Sequence, residues 1–211
     1  MDLTGTLTPL TGDRAGHTRR AVFLDRDGTL TEPRHYPRRP EDLVLQPGIG
    51  PPLHALQDQG LALVVVTNQS GLARGLFDEP TLAAMHHRLR DLLAGLGVHL
   101  AGIYACPHHP EGTVRHLRTV CRCRKPQPGM LQRAAADLHL DLTGSWMIGD
   151  STCDIQAGRR AGTRTALAAP DPLPGCLPDV CGTTTAGALT HVHHALRAQG
   201  TGEPRPSIPK P

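Results

Sequence analysis

Six apolar residues in a row, Leu61-Ala62-Leu63-Val64-Val65-Val66, end abruptly at Thr67-Asn68-Gln69-Ser70-Gly71, and that pattern constrains the fold more than any other stretch. A continuous apolar run of this length, β-branched in part and stopped by a polar turn, predicts a strand buried on both faces. The interior of a parallel sheet provides that setting. The pattern recurs at Ala21-Val22-Phe23-Leu24, stopped by Asp25-Arg26-Asp27-Gly28-Thr29, and at Ser145 to Ile148, stopped by Gly149-Asp150. Shorter strands are predicted over 102–105 and 165–167. Helices are predicted between them: over 51–59, with Leu53 and Leu56 at helical spacing and Gly60 as the stop, and over 79–94, with Leu82, Met85, Leu89, Leu92 and Leu93 on one face. Others follow over 128–138, 152–160 and 186–197. Such alternation predicts an α/β fold, a doubly wound parallel sheet covered on both faces.

The chain has 211 residues, which suits one domain with a full core. Residues 1–18 are rich in Thr and Gly without periodicity and 199–211 are rich in Pro, so both are read as flexible tails around a domain over 19–198. The segment 31–47, with its prolines, Arg and His around Tyr36, is read as a loop draped over the site. Aromatics make up only 2%, leaving no stacking platform for single-stranded bases, and the net charge of +3 comes from scattered Arg. A nucleic-acid partner is therefore disfavoured, whereas a phosphorylated small molecule is compatible. No apolar stretch reaches the roughly 18 residues of a membrane span, which points to a soluble, cytoplasmic protein.

Chemistry-bearing residues gather at the predicted strand ends. Asp25 and Asp27 follow the first strand, where loops of an open α/β sheet diverge and leave a crevice. Two carboxylates converging there need a shared proton or a cation between them, and Mg²⁺ suits hard oxygen ligands. Thr67 to Gly71 offers a hydroxyl and successive backbone N–H groups for a phosphate, although such residues also serve ordinary helix N-caps. Arg124-Lys125 supplies two cations or a solvated loop, and Asp150 to Asp154 a pair of acids or a simple cap. Cys106, His108, Cys121 and Cys123 make a complete ligand set for a structural zinc in a loop over 106–123, with His109 as a rival imidazole. Four protein ligands leave no open position, so such a metal would be structural.

The order Asp-x-Asp-Gly-Thr, Thr-Asn, Lys-Pro, Gly-Asp-x-x-x-Asp over about residues 20–168 resembles the four motifs of the haloacid dehalogenase-like phosphatases. Within them, Thr67 to Gly75 and Cys106-Pro107-His108-His109-Pro110 resemble the D-glycero-D-manno-heptose 1,7-bisphosphate phosphatase family, a relative of the histidinol-phosphate phosphatases. The resemblance implies a Rossmann-type fold with no large cap domain. It implies Asp25 as nucleophile, Asp27 as general acid and base, and Mg²⁺ on Asp25, Asp150 and the main-chain carbonyl of Asp27, with Asp154 in support. Thr67, Asn68 and Lys125 would hold the transferred phosphoryl group, while Arg124 and Arg74 would hold the rest of the substrate. His108 is favoured over His109 for the zinc. The implied reaction removes the C7 phosphate of the bisphosphate through an aspartyl-phosphate, in a protein acting as a monomer. Histidinol-phosphate hydrolysis is the enzymatic alternative, favoured by Thr31-Glu32-Pro33 and the stretch from Ile148 to Gln156. A zinc-stabilised interaction module would be a different class, but it predicts missing carboxylates and none is missing.

Overall fold

A computed structural model describes residues 18–34 and 36–200; the tails read over 1–18 and 199–211 lie almost wholly outside the described residues. In chain order the elements are β1 (Arg19–Leu24), α1 (Gly50–Asp58), β2 (Ala62–Asn68), α2 (Glu79–Ala94), β3 (Gly102–Cys106), α3 (Gly129–Leu138) and β4 (Leu140–Gly149). They continue with α4 (Thr152–Ala161), β5 (Arg164–Ala168), β6 (Val180–Gly182) and α5 (Thr185–Gly200). All strand pairs are parallel, in the order β3-β2-β1-β4-β5-β6. The order reverses between β1 and β4, and a sheet of this kind opens its ligand crevice beyond the C-terminal ends of those two strands.

Strand alternation divides the core in two. Val22 and Leu24 of β1, Leu63 and Val65 of β2, and Trp146 and Ile148 of β4 face α1, α2 and α5, whose Leu53, Leu56, Met85, Leu89, Leu189 and Val192 complete that layer. On the other face Ala21, Phe23, Val64, Val66 and Met147 meet Met130, Leu131 and Ala134 of α3 and Ala157 of α4. Each buried Leu, Val or Phe contributes roughly 1.5–3 kcal/mol, so the two layers fix the sheet and with it the positions of the strand ends.

Two features go beyond the sequence pattern. β4 begins five residues earlier than the apolar run at Ser145 suggests, because its first half is half-polar and bulged: the register jumps from Arg20 opposite Asp141 to Val22 opposite Trp146. The Ala21 N–H left out of the ladder there donates to Ser145 Oγ at 2.8 Å. β6 is a three-residue edge strand, too short to show a period. The Pro-rich segment after Thr31 returns to the first turn, where Thr31 bridges to Leu45 and Gln46 Nε2 donates to the Gly28 carbonyl at 3.2 Å.

Candidate active site and cysteine cluster

Asp25 leaves β1 where the sheet order reverses, and Asp150 leaves the adjoining β4. The turn between Asp25 and Thr31 must pass close under Asp150. Gly28 has φ of +87°, and a Cβ added there would lie 2.1 Å from Asp150 Oδ2, so only glycine fits. Asp154, in the first turn of α4, is buried and has two tasks. Its Oδ2 accepts from the Ser151 N–H at 3.1 Å, capping the helix, while its Oδ1 pairs with Lys125 Nζ at 2.7 Å.

Lys125 is buried at the centre of the crevice. Its ammonium donates to Asp25 Oδ1 at 2.5 Å and to the Val66 carbonyl at 2.8 Å, and pairs with Asp154 Oδ1 at 2.7 Å. Burial alone would lower the Lys125 pKa, but the Asp154 and Asp25 carboxylates outweigh it and hold the ammonium protonated. Asn68 holds this lysine by its main chain: its Nδ2 donates to the Lys125 carbonyl at 3.1 Å and its Oδ1 accepts from the Lys125 N–H at 3.0 Å. The side chain expected to bind phosphate is thus largely engaged in fixing its neighbour.

One ammonium faces three carboxylates, and burial together with the surplus negative charge acts on two of them, Asp25 and Asp150. Burial, reinforced by Asp154 and opposed by Lys125, raises Asp25 to about 7; burial and Asp154 raise Asp150 to about 6. Carboxylate oxygens of Asp25, Asp150 and Asp154 lie within 4.8 Å of one another. Hard oxygen donors this close, with charge to spare, suit a divalent cation such as Mg²⁺. Protons should compete with it for Asp25 and Asp150. Calorimetric titration at pH 8 and pH 6 is expected to show weaker Mg²⁺ binding at the lower value, since both carboxyls gain protons as the pH falls through about 7 and then 6. Equal affinity at the two values would contradict the fit.

A second cluster begins at the end of β3. Cys106 Sγ lies 3.5 Å from Cys121 Sγ and 3.2 Å from Cys123 Sγ; Cys121 and Cys123 are 3.2 Å apart, and His108 Nδ1 is 3.4 Å from Cys123 Sγ. All the cysteines are free, and these four ligand atoms fall within 4.8 Å of one another. Thiolates on one tetrahedral zinc with bonds of about 2.3 Å would stand roughly 3.7 Å apart, so the spacing suits that ion. Contacts with Cys106, Cys121 and His108 push Cys123 down to about 5, despite burial. Downstream, Gly129 N–H donates to the Arg122 carbonyl at 3.0 Å, and a Cβ on Gly129 would meet that oxygen at 2.3 Å. The end of the loop is thereby pressed onto α3, with Arg124 and Lys125 between the two fixed points.

His109, the rival imidazole, lies outside this cluster. Arg74 Nη2 is 3.2 Å from its Nε2, and burial, Arg124 and Arg74 together hold it below the ordinary histidine range. Two cations therefore stand beside one neutral ring, with the exposed Glu111 carboxylate 4.0 Å from Arg74 Nη2 on the solvent side. Arg74 Nε and Arg124 Nη1 are buried without a hydrogen-bond partner among the described residues, and unpaired buried guanidinium donors of this kind call for an anion. Arg26 and Gln69 join the site without having stood out in the sequence, where a charged residue between two aspartates and an amide in the Thr67 turn were the available signals. Arg26 is fully buried and chelates the Asp27 carboxylate, Nε to Oδ1 at 2.9 Å and Nη2 to Oδ2 at 2.7 Å. Gln69 joins the same carboxylate.

Residues 122–170 match the HAD-hydrolase-like family model. Over 141 residues the chain is 47% identical to the D-glycero-β-D-manno-heptose-1,7-bisphosphate 7-phosphatase of Photorhabdus laumondii, covering 67% of this chain and 75% of that one. A HAD-like phosphatase structure from Mesorhizobium loti superposes with a TM-score of 0.77 at 36% identity, covering 89% of this chain and 91% of its own. The D,D-heptose 1,7-bisphosphate phosphatase of B. bronchiseptica, solved with magnesium and phosphate, superposes with a TM-score of 0.70 at 31% identity, covering 84% and 99%.

Proposed function

This chain belongs to the family of the D-glycero-β-D-manno-heptose-1,7-bisphosphate 7-phosphatases, among the HAD-like phosphatases, and from that premise we propose that it hydrolyses the C7 phosphate of this sugar bisphosphate. The observation that carries the choice of substrate is the pair of unpaired, buried guanidinium donors on Arg74 and Arg124. A bisphosphate supplies a second anion for them. Histidinol phosphate would bring an ammonium group towards two cations instead.

Asp25 attacks phosphorus in line through a carboxylate oxygen, forming an aspartyl-phosphate as the bond to the C7 oxygen breaks. Asp27 protonates that departing oxygen, then takes a proton from the water that attacks phosphorus and releases Asp25. Thr67 and Lys125 hold the phosphoryl oxygens; Asn68 anchors Lys125 and keeps one amide hydrogen for the same oxygens. Lys125 is held in the free protein by Asp25, Asp154 and the Val66 carbonyl, so a bound phosphoryl group shares the ammonium with these partners. Mg²⁺ held by Asp25, Asp150 and the Asp27 main-chain carbonyl, with Asp154 behind Lys125, would offset the like charges of nucleophile and phosphate. Zn²⁺ on Cys106, His108, Cys121 and Cys123 would serve structure alone. No helix among the described residues is long and apolar enough to cross a membrane, and unpaired thiols favour the cytoplasm.

The test is an initial-rate comparison of phosphate release from the 1,7-bisphosphate, the 1-phosphate and histidinol phosphate. Release from the bisphosphate alone, with the anomeric phosphate retained, is expected; preferential release from C1, or faster histidinol phosphate hydrolysis, would overturn the proposal. Arg124→Ala should lower kcat/KM for the bisphosphate roughly 10- to 100-fold, the worth of one or two charge-assisted hydrogen bonds, while sparing a small aryl phosphate. An equal loss on both would place Arg124 at the transferred group instead.

A further inference from the structure

Gln69, which follows the polar end of β2, ties three site residues together. Its Oε1 accepts from Arg26 Nη2 at 2.9 Å, and its Nε2 donates to Asp27 Oδ2 at 2.9 Å and to Thr67 Oγ1 at 2.8 Å. The orientation of this amide is dictated by its surroundings. Arg26 has only donors, so reversing the amide would set its Nε2 against Arg26 Nη2, donor against donor. Both hydrogens on Nε2 are then assigned, one to Asp27 and one to Thr67. It follows that the Thr67 hydroxyl already accepts a hydrogen bond from within the protein, leaving its own O–H to donate towards the crevice. Arg26 is fully buried while the Asp27 side chain is 26% exposed, so the guanidinium holds the carboxylate from its buried side. Among the described residues Asp27 is the one carboxylate paired with Arg26.

We propose that Gln69, oriented by the buried Arg26, is a positioning residue that sets the Asp27 carboxyl and the Thr67 hydroxyl together for phosphoryl transfer. The inference deepens the function proposed above and rests on its reading of Asp27 as the acid that protonates the leaving group. Its consequence is specific: loss of Gln69 harms most the esters that need that proton. A sugar alkoxide is a poor leaving group and 4-nitrophenolate a good one. A change that merely loosened packing would slow both alike.

The experiment measures kcat/KM of the metal-loaded protein on heptose 1,7-bisphosphate and 4-nitrophenyl phosphate, with inhibition by inorganic phosphate, for Gln69→Leu, Gln69→Glu and Asp27→Asn. Gln69→Leu is expected to lose roughly 10- to 100-fold on the bisphosphate, the scale of impaired general acid catalysis, and about threefold or less on the aryl ester. Gln69→Glu keeps the volume but only accepts. It should repel Asp27 and draw the Thr67 hydrogen away from phosphate, lowering activity on both esters and weakening phosphate inhibition more than the Leu change does. Wild-type behaviour of Gln69→Glu, or an equal loss on both esters in Gln69→Leu, overturns the proposal. Asp27→Asn reads the underlying assignment separately. If it selectively impairs the sugar ester and the Gln69 variants do not, only the part given to Gln69 fails; if it impairs both esters equally, Asp27 is not the acid and both assignments fail.

Discussion

Replacing Asp25 by Asn should abolish turnover, on the order of 10⁴-fold or more, while leaving the fold intact and the magnesium-free protein more stable at pH 8. An amide cannot form the acyl-phosphate, so the loss falls on chemistry. The gain in stability follows from the burial of the Asp25 carboxylate, reinforced by Asp154. Burial raises Asp25 from 3.8 to about 7, so between these values the folded protein holds a proton that the unfolded chain releases. The contribution of this group to stability therefore declines as the pH rises through that window, and above about 7 the full cost of ionising it is present. Asn carries no such cost, and Lys125 keeps Asp154 at 2.7 Å. Thermal melts without added magnesium should show the variant above the parent at pH 8, by a smaller margin at pH 5, with about 2–4 °C for each kcal/mol relieved. A lower melting temperature at pH 8, or turnover within tenfold of the parent, would contradict this account.

Removing one thiol from the cysteine cluster should be the next most damaging change. Cys123→Ser is expected to lose the bound zinc and, by releasing Arg124 and Lys125, to cost roughly 10²-fold on both an aryl phosphate and the bisphosphate, the scale of a 1 Å misplacement of a working group. Magnesium dependence should be unchanged, because Asp25, Asp150 and Asp154 come from β1 and from the β4 to α4 turn. Metal content, melting temperature and rates on the two substrates are the measurements. A zinc-free, folded Cys123→Ser protein that hydrolyses both at the parental rate would show that the cysteine cluster has no part in catalysis.

Much of this is legible in the chain because strand ends carry both kinds of signal at once. At Leu24 to Asp25, Val66 to Thr67 and Ile148 to Asp150, an apolar run stops against polar residues, so the step that marks the sheet also marks the crevice. Spacing alone brings the three cysteines of the 106–123 loop together as metal ligands, whereas the choice of His108 over His109 needs the family resemblance. The geometry sets His108 among those thiols and gives His109 a separate place beside Arg74. Other features leave no local trace. The first half of β4 is bulged and half-polar, and β6 is three residues long. The contact from Gln69 to Asp27 spans 42 residues of chain, and a side-chain hydrogen bond across such a distance imposes no periodicity on either segment. The resemblance implies Asn68 as a phosphate ligand, and no local pattern shows that its amide also holds the main chain of Lys125, 57 residues away.

β3 lies at the margin of the sheet, and the cysteine-bearing loop starts at its last residue and runs back to α3. The carboxylates of Asp25 and Asp150 stand just beyond the ends of β1 and β4, at the middle of the sheet. On the function proposed above, Arg124 of this loop serves recognition while the carboxylates stand on other strand ends, which makes the loop an exchangeable part. Lengthening, shortening or grafting it need not disturb the central register, provided the stretch from Arg122 to Gly129 still delivers Lys125. A lineage could in this way retain one phosphotransfer engine while altering its diet by recombination at a single peripheral segment.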